Sequence, residues 1–246
     1  MPSPSAADTA RRLADLKAEV ARDSAVRPPP PIAAASLPWR WEYLARRALA
    51  VLALLVLPFV LLVRGSVFLY TRHGFPTWIA LLSAAGVMLL VVTAYAAWLA
   101  HRFTGRLRVT IVAQWVAAPL VLGFCAHALL FLARANAKGD QVQAEYRATH
   151  PLLRVALATL MLANNDLVVT DLRRVPADYA RMGLPVFDGT LHARQPDGWA
   201  HAVDLRTIGR GAIVNLLVEW YFRAMGFRTL RHVGTADHLH VELPLH

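Results

Sequence analysis

The residues able to do chemistry gather near the C-terminal end, in Asp237-His238-Leu239-His240-Val241-Glu242. Side chains alternate across a strand, so His238, His240 and Glu242 share one face while Leu239, Val241 and Leu243 take the other. Two imidazoles on one strand face can be presented to a single metal ion or a single substrate. Upstream stand Thr190-Leu191-His192 and Ala200-His201-Ala202-Val203-Asp204. Ala200, Ala202 and Asp204 share a strand face, and the two small residues leave open space beside the acid. His201 has the opposite phase. The chain has one cysteine, Cys125, which excludes an intrachain disulfide and a cysteine-rich zinc site. Any metal must then be held by histidine and carboxylate.

The elements that position these residues lie within residues 135–246, which read as a soluble α+β domain with a small antiparallel sheet. Pro151–Ala163 predicts a helix, Leu167–Leu172 is β-rich and Trp199–Leu205 alternates as a strand. Ala212–Met225 predicts a second helix with Ile213, Leu216, Leu217, Trp220 and Ala224 on one side and Gly226 as its stop. Phe227–Val233 and His238–Leu243 predict a closing hairpin around Gly234-Thr235. Trp199 and Trp220 are expected in the core. His150, His232 and His246 are expected to be structural or solvated.

The other half is of a different kind. The chain is 57% apolar with a mean hydropathy of +0.40, and the apolar excess is concentrated between Ala48 and Ala133. Three transmembrane helices are predicted, at about 48–70, 74–100 and 109–133. The first has its uninterrupted apolar run in Ala48–Val63, so Arg64 must snorkel toward the interface or lie just outside it. The third carries Gln114, Pro119 and His127, the last read as packing or interhelix hydrogen bonding. Trp39, Trp41, Trp78, Trp98 and Trp115 fall near span ends, where interfacial aromatics belong. Residues 1–47 read as a polar cytoplasmic tail. Ala6–Ala21 can form a charged helix, with Leu13, Leu16 and Val20 at helical spacing, but the composition and the Pro28–Pro31 run favour disorder. A cleavable signal peptide is not expected, because the first apolar run begins only at Ala48.

Of the net charge of +10, +9 falls on residues 1–134 and +1 on residues 135–246. A near-neutral domain lacks the basic face of a nucleic-acid binder, so no nucleic-acid partner is expected. The basic excess marks topology instead. Arg40, Arg46 and Arg47 precede the first span, and Arg102, Arg106 and Arg108 fill the loop between the second and third. The positive-inside rule places both segments in the cytoplasm and residues 135–246 on the far side of the lipid bilayer.

Thr190-x-His192, then Ala200-x-Ala202-x-Asp204, a helix, and Asp237-His238-x-His240 on a last strand resemble the zinc D-alanyl-D-alanine carboxypeptidases. That family includes murein endopeptidases and hedgehog-type domains. The resemblance covers about residues 150–246. The family pattern is Ser-x-His, six residues, Asp, and a terminal Glu-x-x-His or His-x-His. Here eleven residues separate His192 from Asp204, Thr190 replaces the serine, Ala200 a glycine, and Asp237 stands where many members have a catalytic glutamate. An inserted loop at Arg194–Gly198 accounts for the spacing; alternatively His201 replaces His192.

The resemblance implies zinc held by His192, Asp204 and His240, with His201 as the alternative to His192. It gives His238 the acid–base role, with Asp237 as rival or orienting partner. Arg206 and Arg210 are candidates to clamp a peptide carboxylate. The implied protein is a zinc peptidase anchored in a bacterial cytoplasmic membrane, acting on peptidoglycan peptides from the periplasmic or extracellular side. A non-catalytic module binding a wall peptide or a protein partner is the alternative. A transport or assembly subunit is a third reading, opposed by the lack of an acid–base network within the spans.

Overall fold

The computed structural model describes residues 5–23, 38–183, 185, 190–234 and 237–245. The sequence readings of Pro28–Pro31, of Thr235 and of His246 lie outside the described residues, as do the side chains of Trp39 and Arg40.

Two compact units divide at Leu52. In the first, α1 (Ala6–Asp23) is a helix of 18 residues where the composition favoured disorder. Local signals suffice for it. The Ser5 hydroxyl accepts from the Asp8 N–H at 3.3 Å, and Asp8 in the first turn and Arg22 in the last complement the helix dipole. Leu13, Leu16 and Val20 remain exposed on it. α2 (Pro38–His73) begins ten residues before the span expected at Ala48 and continues into the second unit.

In the second unit the rest of α2 is followed by α3 (Thr77–Thr104), α4 (Val109–Val112) and α5 (Ala118–Leu130). α4 and α5 are joined by a π-helical turn at Ala113–Ala117, just before Pro119, where a missing N–H breaks the regular ladder. The stretches Trp41–His73, Thr77–Thr104 and Val109–Leu130 are long and apolar enough to cross a membrane. Gly105, in the left-handed conformation at the end of α3, turns the chain back.

Four antiparallel strands follow, with helices between them: α6 (Asp140–Glu145), α7 (Pro151–Ala163), β1 (Val169–Asp171), α8 (Pro176–Met182), β2 (Ala202–Arg206), α9 (Ala212–Met225), β3 (Arg228–His232) and β4 (His238–Glu242). The sheet order is β1-β2-β4-β3, which puts the C-terminal strand at the centre beside β2. β2 is shorter than the stretch 199–205 read from sequence; Ala200 instead makes bridges to Thr149 and Arg194.

One continuous core joins the spans to the sheet. Leu62, Val63 and Val67 of α2 and Ala80, Ala84 and Met88 of α3 share it with Leu153 and Leu157 of α7, Phe222 of α9 and Val203, Leu205, Leu239 and Val241 of the sheet. α7 is buried from Pro151 through Ala158, so it is covered on all sides. Arg154 ties it to α5 by donating to the Leu129 carbonyl, and Tyr146, in the turn before α7, donates its hydroxyl to the Ala128 carbonyl at 2.7 Å. The β4 alternation is as read from sequence, with Leu239 and Val241 buried and His238, His240 and Glu242 on the other face.

α9 corrects one expectation. Its buried face is Asn215, Val218, Phe222 and Met225, while Ile213, Leu216, Leu217 and Trp220 are exposed, Trp220 by 69%. The helix is apolar on two sides, and periodicity does not say which side packs. Trp199 does pack, edge-on to Trp78 of α3 with ring centroids 6.1 Å apart.

Candidate metal centre

Antiparallel pairing of β2 with β4 sets Asp204 directly opposite His240 and Arg206 opposite His238. Asp204 and His240 therefore project from the same face of the sheet as neighbours. His240 Nδ1 lies 2.8 Å from Asp204 Oδ1. His192 reaches the same point from the loop that precedes β2. Its N–H donates to the Thr190 hydroxyl at 3.2 Å, its carbonyl accepts from the Arg174 N–H at 3.0 Å, and the Leu191 carbonyl accepts from the His201 N–H at 2.7 Å. Fixed in this way, His192 Nε2 lies 3.2 Å from Asp204 Oδ1 and 3.3 Å from His240 Nδ1.

The hydrogen bonds around this trio orient its lone pairs. His192 Nδ1 contacts the Leu172 carbonyl, which can only accept, so Nδ1 carries the proton and Nε2 presents a lone pair. His240 Nδ1 pairs with Asp204 Oδ1 at 2.8 Å, and its Nε2 lies 3.6 Å from Glu242 Oε2, beyond hydrogen-bond distance. Two imidazole nitrogens and a carboxylate oxygen thus converge on one small volume. Such a set is repulsive unless a proton or a cation sits among the atoms. Zinc with ligands at ~2.0–2.2 Å in a tetrahedron has ligand–ligand edges of about 3.3–3.6 Å. The two His192 edges approach this, and the Asp204–His240 edge is somewhat shorter. The donor set fits a divalent cation, and a carbonyl or carboxylate behind each imidazole is the usual support of a metal-binding histidine.

Electrostatics point the same way. Asp204 is 3% exposed. Burial pushes its carboxyl up, but the close contacts with His192 and His240 and the nearby His238 outweigh this and hold it far below the usual carboxylate range. For His240, burial alone would lower the pKa; the bond to Asp204 and the charges of Asp204 and Glu242 raise it overall. Asp204 Oδ2 accepts from Arg174 Nη2 at 2.9 Å, and Arg174 Nε bonds Asp171 of β1.

The other sequence candidates lie as follows. His238 Nε2 is 3.7 Å from Asp204 Oδ2, beside the trio, and its ring stacks on His232 with centroids 4.6 Å apart. Asp237 points elsewhere: its oxygens accept from Arg231 at 3.0 and 3.1 Å and from the Thr207 hydroxyl at 2.6 Å. Arg231 first, then Thr207, holds its carboxyl below the ordinary range. Arg206 is exposed opposite His238. Arg210 lines a cavity with Asp166, Val214 and Leu217 rather than the histidine cluster.

His201 belongs to a second cluster with His150 and Asp197. His201 Nε2 lies 2.7 Å from Asp197 Oδ2, and His150 Nε2 lies 2.9 Å from the Thr77 hydroxyl of α3. His150 Nδ1 accepts from the Leu152 N–H as the cap of α7, which places its proton on Nε2 and takes that nitrogen out of metal binding. This cluster is a hydrogen-bonded tie between the α2–α3 turn and the sheet domain. The structure therefore brings His192, and not His201, to Asp204 and His240.

Arg174 and Asp171 carry no signal in the sequence reading, and His232, expected to be structural or solvated, stacks on His238. The first two sit where no periodicity marks them. His232 is opposite His238 in the β3–β4 register, so counting back from the hairpin turn would have found it. Comparison with protein-family models, curated proteins and solved structures finds no match to this chain.

Proposed function

We propose that this chain is a membrane-anchored zinc peptidase acting on peptidoglycan peptides near D-alanine. The observation that carries the reading is the convergence of His192, Asp204 and His240 on one point, in the order and strand context of the D-alanyl-D-alanine carboxypeptidase pattern. Zinc bound there would lower the pKa of a water toward ~7 and polarise a scissile carbonyl. The chain's own residues supply the rest. His192 is oriented by the Leu172 carbonyl, and Asp204 by Arg174. His238, partly exposed beside Asp204, accepts and returns a proton at Nε2. The arginine distribution supports placing the sheet domain on the outer side of the membrane, where wall peptides are found.

The test is hydrolysis by the purified full chain supplied with zinc. A pentapeptide ending in D-Ala-D-Ala and cross-linked peptidoglycan are the substrates to offer, with chromatography of the products. Release of D-alanine or of a peptide fragment is expected; no fragment from either substrate removes the peptidase reading. A non-catalytic wall-peptide module is the second reading, favoured by one observation: Asp237, standing where the family glutamate would be, is engaged by Arg231 and Thr207.

A further inference from the structure

From the position of α9 we infer that its outer face lies in the lipid bilayer interface. Ile213, Leu216, Leu217 and Trp220 form one stripe along this helix and are 58–74% exposed, a contiguous apolar surface on a helix whose other side is already packed. The location of the helix identifies the occupant. Val218, Phe222 and Met225 share a core with Leu62, Val63 and Val67 of α2. Gly226, at the end of α9, lies directly against Arg64 and Val67. α9 therefore ends alongside a membrane-crossing helix and not beyond its tip: Arg64 precedes the end of α2 at His73 by nine residues, or about 14 Å of helix.

Arg64 also marks depth. It terminates the uncharged run Ala48–Val63 and is exposed, as a side chain reaching the headgroup layer would be. The α9 stripe thus continues the lipid-facing surface of the spans at the level where hydrocarbon meets headgroups. Trp220 suits that boundary. The histidines are on the opposite face of the sheet from the core that α9 covers. A helix held in the interface thereby fixes the metal centre at a set height with its face toward water. This inference does not depend on zinc or on peptidase activity.

The experiment uses the full chain in phospholipid nanodiscs with Cys125→Ser to remove the one native cysteine. Leu216→Cys, Leu217→Cys and Trp220→Cys carry a nitroxide label in turn, with Glu219→Cys as the control on the helix flank. Collision rates with oxygen, which concentrates in lipid, are compared with those of a water-soluble nickel chelate. Oxygen collisions exceeding nickel collisions at 216, 217 and 220, with a lower ratio at 219, are the expected result. Nickel collisions dominating at all four sites would place the face in water and overturn the inference. Low collision rates with both reagents at 216, 217 and 220 would also overturn it, because another protein surface, a second copy included, would then cover the stripe.

Discussion

Asp204 and His240 face each other across β2 and β4, with 2.8 Å between Oδ1 and Nδ1. Two central strands fix this pair, while His192 is delivered by a loop. The pair is thus set by strand register, and His192 by the hydrogen bonds of its loop. The partners behind these three residues decide how well the centre is formed.

Arg174 is the first such partner. It holds the second oxygen of Asp204 at 2.9 Å and ties it to Asp171. Arg174→Ala should weaken zinc affinity by ~10–100-fold, the usual cost of removing an orienting group behind a ligand. Competition against a chelator of known affinity measures it, and Arg174→Lys should restore part of the loss. Unchanged or tighter binding would mean that Arg174 serves only to neutralise Asp204.

His238 separates binding from turnover. It stands 3.7 Å from Asp204 but outside the trio. His238→Ala should keep zinc and lose ~10²–10⁴-fold in turnover, the typical effect of removing an acid–base group. His240→Ala should lose both. If His238→Ala strips zinc as fully as His240→Ala does, His238 is a ligand and the proton must move elsewhere.

Gly226 tests the packing of the sheet domain on α2. Its φ of 99° is left-handed, and a Cβ there would lie 2.6 Å from Arg64 Nη1 and 3.0 Å from Val67 Cγ1. Gly226→Ala should cost about 1–2 kcal/mol from the backbone conformation alone. Thermal unfolding of the full chain in detergent reads this out. Part of any further loss should disappear in the presence of Arg64→Ala, since only the arginine contact is relieved. An unchanged unfolding temperature would show that α9 does not end against α2.

Much of this was legible in the sequence because it rests on period. Apolar length gave the three spans, and the two-residue period of His238–Glu242 gave both the buried and the histidine-bearing face of β4. What period cannot show is which of two apolar faces finds a partner, so the stripe of Ile213, Leu216, Leu217 and Trp220 was read as core although Val218 and Phe222 fill that place. Nor does it reach loops: Arg174 comes to Asp204 through tertiary folding with no local signature. For α1 the helical spacing at Ala6–Ala21 is visible, but low hydrophobicity and the proline run favour disorder over it, and the cap at Ser5 with its own propensity decides otherwise. Strand phase set His201 apart from Asp204, and the structure adds the reason: His201 faces Asp197 and His150 on the side toward α2 and α3.

The metal content of the purified full chain tests the central claim most directly. Elemental analysis after dialysis against limiting zinc should find about one zinc per chain, as for a three-ligand catalytic site. His192→Ala, Asp204→Ala and His240→Ala should each abolish it, and His201→Ala should retain it. A wild-type chain that binds no zinc, or zinc that persists in Asp204→Ala and His192→Ala, would contradict the account.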